Sequence, residues 1–313
     1  MMKTLSLTQI ENILENLDPI PAIEQGFVEY SKGKCNIPPI GELLMDKGDV
    51  HIKYGCITGE DYYVIKIASG FYDNNKIGLP NSNGLMLLFS QNTGELICTL
   101  HDQCLLTDIR TAIAGAITAK YMAPKNISAI GIVGTGVQAR MQAEYLKSVT
   151  PCRDIVVWGR DPEKLVNYRN DMRQSGFKVT ATMDMDELCA SANLIVTTTP
   201  AEQPLIKADQ IRPGTHITAM GSDTPNKKEL DVNILALADV VACDSKEQCY
   251  IRGEICHAIK AGVIDMANTL ELGNIIDGQK GRINDQQITV ADLTGVAVQD
   301  IKIAEAVYLA SLG

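Results

Sequence analysis

Aromatic residues are scarce in this chain: Phe, Trp and Tyr make up 5% of its 313 residues, and Trp158 is the one tryptophan. That leaves few ring faces on which single-stranded nucleic acid could stack. A basic excess is missing too. Lys and Arg number 28 against 38 Asp and Glu, a net charge of -10, which opposes broad binding to phosphate backbones. Hydrophobic runs stop after about five to eight residues, well short of a membrane span of about 20. The N-terminus lacks the apolar core and small-residue cleavage pattern of a secretory signal peptide. The nine cysteines are odd in number and include no C-x-x-C pair, so reduced thiols in a cytoplasmic protein are expected. The four histidines form no metal-ligand spacing with one another or with the cysteines, and no metal site is expected.

What is present is apolar material for two cores: 45% of residues are hydrophobic, in a chain about twice the usual domain length. From residue 125 onward, short β-branched runs at 129–133, 154–158, 178–182, 194–198, 216–220 and 239–243 alternate with segments of helical length. Such alternation implies an α/β fold with a doubly wound parallel sheet, covered on both faces. The first 120 residues read differently. Strands are expected at 50–54, 62–68, 85–90 and 95–100, with a hairpin turn at 91–94. An Ala-rich helix follows from about 107 to 122, interrupted only by Gly115, and its small residues suggest close packing. A last helix, about 296–312, has no neighbouring strand in sequence and is expected to return to the first domain.

The first run of the second half leads into Gly134-Thr135-Gly136-Val137-Gln138-Ala139 and then a helix. This is G-x-G-x-x-A in the strand–turn–helix setting of a dinucleotide-binding loop. Gly134 permits the turn, Gly136 lets backbone N–H groups approach a pyrophosphate, and Ala139 allows close helix–sheet packing. Thr198, ending the fourth run, joins these six as a cofactor-binding candidate. An NAD site commonly carries a carboxylate at the end of the second strand, bonding the ribose 2′-OH. Here Trp158 and Gly159 stand there, Arg160 follows, and Asp161 suits a helix cap. NADP(H) is therefore expected over NAD(H).

Three cations in the first half are candidate anion holders. Lys66 interrupts an apolar run, so its ammonium is expected in a dry region, where an unpaired charge is costly. Arg110, expected in the first turn of the Ala-rich helix, could bind a carboxylate bidentately. Lys53 shares a strand face with His51 and Gly55, opposite Ile52 and Tyr54, which suits either an anion site or a solvated face.

The segments VIKIASG (64–70), GLPNSNG (78–84), LTDIRTA (106–112), GIVGTGVQA (131–139), GSDTPNKKEL (221–230) and TGVAVQD (294–300) together resemble the ornithine cyclodeaminase/mu-crystallin family. The resemblance implies a homodimer whose α+β substrate-binding and dimerisation domain (1–123 with 293–313) is joined to a Rossmann domain (124–292). It places Lys66 and Arg110 at the substrate carboxylate, beside the nicotinamide, and Asp223 at the substrate amine or water. Lys66 and Asp223 are thereby the catalytic candidates, Arg110 and Lys53 the substrate-binding ones. Cyclodeaminases carry a further arginine after a Pro-rich segment; residues 37–42 here have none, and Lys53 is the candidate replacement. The implied function is NAD(P)-dependent hydride movement at the α-carbon of a small amino or imino acid, most like ornithine cyclodeaminase, which yields proline and ammonia. The alternatives are a reductase of Δ1-pyrroline-2-carboxylate or another ketimine, an amino-acid dehydrogenase, or a non-enzymatic, crystallin-like NADPH and ligand binder.

Overall fold

The computed structural model describes residues 2–71 and 73–313. The chain forms two compact units, Met1–Arg110 with Val296–Gly313, and Thr111–Gly295. The parting falls inside the helix Leu105–Met122, where sequence reading puts it after residue 123.

In the first unit, seven strands make one sheet: β1 (Lys3–Leu5), β2 (Cys35–Asn36), β3 (Gly41–Met45), β4 (Gly48–Ile57), β5 (Tyr62–Gly70), β6 (Ser82–Ser90) and β7 (Leu96–Leu100). Their order is β1-β7-β6-β5-β4-β2, with β3 also on β4, and only the β1–β7 pair is parallel. The β6–β7 turn closes as the Gly94 N–H donates to Ser90 O (3.0 Å), with Gly94 at φ +72°. The C-terminal helix, Val298–Ala310, packs on β4, β5, β6 and the helix Ile20–Ser31, as its lack of a sequence-local strand partner implies. Strand alternation then gives β5 and β6 two unlike faces. Val64, Met86 and Leu88 are fully buried, while Tyr63, Ile65, Ile67, Leu85, Leu87 and Phe89 on the other face are half-buried.

The second unit holds an eight-stranded, all-parallel sheet: β8 (Ile130–Val133), β9 (Asp154–Trp158), β10 (Lys178–Thr182), β11 (Leu194–Thr197), β12 (His216–Ala219), β13 (Val240–Cys243), β14 (Thr269–Glu271) and β15 (Thr289–Asp292). The order is β10-β9-β8-β11-β12-β15-β13-β14. The sixth expected run therefore does not neighbour the fifth, because β15, unmarked in the sequence reading, lies between them. The Ala-rich helix owes its small residues to a close approach. A Cβ on Gly115 would stand 2.0 Å from Gln142 Oε1, on the buried face of the helix Val137–Leu146.

No helix among the described residues is long and apolar enough to cross a membrane, and no group of acids, His and Cys among them could hold a metal ion. The nine cysteines are free thiols. His216 is structural. Fully buried, its Nδ1 and Nε2 lie 2.8 and 3.0 Å from Thr289 Oγ1 and Thr218 Oγ1. Burial, reinforced by the Arg282 charge, pushes this imidazole down to about 3. The unfolded histidine titrates near 6.5, so the neutral ring stabilises the fold above about pH 6.5 and loses that contribution as pH falls toward about 3. Urea melts at pH 7.5 and 4.5 should show this decline, and His216→Gln should flatten it.

Candidate functional site

Strand order reverses around β8 and β11, which opens a crevice at their carboxyl ends. A cavity of about 640 Å³ lies there, lined by the loops that follow β8, β9 and β11. The Gly134 φ of +118° excludes an ordinary side chain, and a Cβ would also stand 2.7 Å from Thr198 Oγ1. Thr198 locks the two loops, its N–H and Oγ1 both donating to Val133 O (2.9 and 3.0 Å). Gly136 caps the helix Val137–Leu146, lines the cavity and has no other group within 4 Å of where a Cβ would stand. These residues fit a dinucleotide pyrophosphate. Gly134, Thr135, Gly136, Arg160 and Thr198 line the cavity, whereas Val137, Gln138 and Ala139 do not. Ala139 is fully buried in the core beneath it, and its carbonyl accepts from the Tyr168 hydroxyl (3.1 Å).

Residues unmarked in the sequence reading brace these loops. Arg140 lines the cavity, donates from Nη1 to Thr135 O (2.6 Å) and Gly136 O (3.1 Å), and pairs with Asp171 (2.6 Å). Buried Glu229 accepts four bonds, from Thr197 Oγ1, Thr199 N, Thr199 Oγ1 and Gly221 N, at 2.6–2.9 Å. It thereby fastens the loop after β11 to the loop after β12. Burial, with Glu254 adding repulsion, pushes its carboxyl up to about 7, against the pull of its donors.

In the first unit, the three candidate cations are all buried. Lys53 and Lys66 are directly opposite one another on β4 and β5, 6% and 2% exposed. The solvated-face reading of Lys53 is thus overturned: the exposed residue there is its neighbour Tyr54. Arg110 is 5% exposed, with Nε 3.0 Å from Asp300 Oδ1 and Nη1 donating to Gln299 Oε1 (3.3 Å). Its helix starts at Leu105, so Arg110 sits in the second turn rather than the first, and its setting comes from these partners rather than the helix terminus. The Lys66 ammonium is 3.7 Å from Asp300 Oδ2. Burial holds Lys66 below the ordinary lysine range, Asp300 opposes that, and Arg110 adds to it. Beside them, Gln103 and Cys104 both adopt positive φ (52° and 72°), a strained pair that starts the Arg110 helix. Asp102 caps this turn, accepting from Leu106 N (2.9 Å), and is nearly fully buried.

Asp223 follows β12, in the second unit. Its Oδ1 accepts from Lys227 Nζ at 2.6 Å, its carbonyl accepts from Arg252 Nη1 (3.1 Å), and its side chain is 40% exposed.

The model of the ornithine cyclodeaminase/mu-crystallin family matches residues 1–312. The chain belongs to that family. Among curated relatives of this family member, a Sinorhizobium fredii protein named an uncharacterized cyclodeaminase is 41% identical over 97% of this chain and 94% of its own. The alanine dehydrogenase of Archaeoglobus fulgidus is 36% identical over 98% and 95%. Three solved structures superpose over 99% of the chain. An archaeal alanine dehydrogenase dimer with bound NAD matches at TM-score 0.90, 33% identity and 96% of its chain. The Thermococcus litoralis Δ1-pyrroline-2-carboxylate reductase with NADH and L-proline matches at 0.92, 27% and 98%. The Paracoccus denitrificans iminosuccinate reductase with NAD+ matches at 0.88, 29% and 96%.

These structures hold NAD+ or NADH, which corrects the NADP(H) expectation built on Arg160. The geometry supplies the reason. Arg160 is exposed, and Asp161, read as a cap alone, also lines the cavity. Both of its cap bonds, from Glu163 N and Lys164 N, go to Oδ1, so a carboxylate of the kind that bonds a ribose 2′-OH stands beside Arg160 in that cavity.

If Arg140 braces the glycine loop, Arg140→Ala should speed amide hydrogen exchange across residues 135–138 severalfold. Exchange in β4 and β5, in the other unit, should be unchanged by the same mass-spectrometric measurement.

Proposed function

We propose that this family member is an NAD(H)-dependent enzyme that interconverts a small α-amino acid with its imino or oxo acid, as an amino-acid dehydrogenase or ketimine reductase. The observation that carries the reading is the buried ion group in which Lys66 and Arg110 share Asp300, with Asp102 also buried and Lys53 opposite Lys66 on the neighbouring strand. Burial also raises the Asp102 carboxyl toward its neutral form. A buried guanidinium and ammonium held side by side suit a carboxylate ligand, and a substrate carboxylate is such an anion. The activities for which the Archaeoglobus, Thermococcus and Paracoccus proteins are named support this chemistry over ornithine cyclodeamination.

Arg110 and Lys66 would hold the substrate carboxylate, with Lys53 adding charge from the neighbouring strand. Fixing that group orients the α-carbon, which removes the orientational part of the barrier. NAD(H), when bound, supplies or takes the hydride, and its pyrophosphate would lie on Gly134, Thr135, Gly136 and the helix that starts at Val137. The family resemblance makes Asp223 the candidate acid–base group for this chemistry. In the reductive direction an imino acid, a hydride and a proton give the amino acid. In the oxidative direction water then releases the oxo acid and ammonia.

Asp223 and the Sinorhizobium relative favour a second reading, cyclodeamination. A panel of pyruvate with ammonium, oxaloacetate with ammonium, Δ1-pyrroline-2-carboxylate and ornithine, with NADH absorbance and ammonia followed separately, decides between them. Net NADH oxidation with an imino- or oxo-acid substrate is expected; ammonia from ornithine without net redox change would replace the reading. Lys66→Met should keep the fold and NADH affinity but lower turnover at least about a hundredfold, the scale of a lost charge stabiliser. Parent-like turnover would remove Lys66 from the mechanism.

We also propose a homodimer, as in the archaeal alanine dehydrogenase, built on the half-buried apolar face of β5 and β6, where Tyr63 and Phe89 stack at 4.9 Å. Leu87→Asp, which puts a charge at the centre of that face, should shift the sedimenting species from dimer to monomer.

A further inference from the structure

Asp300 stands in the first turn of the C-terminal helix and is 0% exposed. Neither of its carboxylate oxygens receives an aligned hydrogen bond from a described residue. A buried, ionised carboxylate without such bonds is expensive unless charge alone stabilises it. Two cations do so: Arg110 Nε at 3.0 Å from one oxygen and Lys66 Nζ at 3.7 Å from the other. They arrive from different elements, Lys66 from β5 and Arg110 from the helix after β7, so one carboxylate ties strand, helix and C-terminal helix together.

We propose that Asp300 is the positioning residue of the carboxylate site, the shared counter-ion that keeps Lys66 an ammonium and holds Arg110 beside it. This rests on the reading that Lys66 and Arg110 hold the substrate carboxylate. The groups facing Lys66 leave this task to Asp300. Across β4 stands Lys53, a like charge, and across β6 stands Met86, which carries none. From the turn before the Arg110 helix come Cys104, whose thiol burial pushes up to about 12, and Asp102, which burial drives toward its neutral form. Arg110 repels. Asp300 gives the largest offset to the desolvation of Lys66, ahead of Cys104 and Asp102.

The test is Asp300→Asn, which keeps the shape and removes the charge. The alkaline limb of its kcat/KM profile should move down by at least about one pH unit, the effect of losing an opposite charge at this range. The Lys66 amine, followed by NMR of lysine labelled at the ε-carbon, should titrate lower by the same amount, and the NADH dissociation constant should stay within about twofold. Asp300→Glu keeps the charge on a longer arm: its alkaline limb should remain in place while kcat falls severalfold. An Asp300→Asn limb that stays with the parent, or an Asp300→Glu limb that moves as far as that of Asp300→Asn, overturns the proposal. If Asp300→Asn does not fold, the double variant Lys66→Met/Asp300→Asn, which removes one charge of each sign, must fold, and its failure also overturns it. The NMR titration needs no turnover, so it judges Asp300 even if Lys66→Met leaves activity intact and the carboxylate reading falls.

Discussion

Charge buried without water has to be answered by charge or by hydrogen bonds, and much of this chain's polar interior follows from that. In the first unit, Lys66 and Arg110 meet at Asp300, and Lys53 faces Lys66 across the strand pair. A sheet strand could bury leucine at residue 66 at no electrostatic cost. Keeping lysine there forces a counter-charge into the packed face of the C-terminal helix.

The second unit solves the matching problem with hydrogen bonds. Glu229 takes four donors from the ends of β11 and β12, and Glu254 accepts from Glu229 N (2.7 Å) and Leu230 N (3.2 Å). Loops at the carboxyl ends of parallel strands carry many unpaired amides, and buried acids supply acceptors for them. The cavity wall at Thr198 and Thr199 is thereby set by residues about 30 positions further along the chain.

The family adds a constraint on chemistry. The solved relatives named above are an alanine dehydrogenase, a Δ1-pyrroline-2-carboxylate reductase and an iminosuccinate reductase, and each holds NAD+ or NADH. Arg160 illustrates the danger of reading one loop cation as a cofactor selector. Beside it, Asp161 caps a helix and faces the same cavity, and the solved relatives hold NAD+ or NADH.

Local signals in the sequence determined the parallel sheet, the glycine loop, the Ala-rich helix and the buried setting of Lys66, because each follows from period, turn chemistry or an interrupted apolar run. Ser6 and Gln9 form a capping box that announces the helix Leu7–Leu14, a signal present but easily passed over. Tertiary structure alone decided the rest. The insertion of β15 between β12 and β13 depends on long-range pairing that no local pattern encodes. The alternation around Lys53 fixed which residues share a face, but whether that face is wet depends on the helix Val298–Ala310 laid over it from the far end of the chain. Arg110 likewise drew its counter-ion from residue 300, a partner 190 positions away that only folding brings within 3.0 Å.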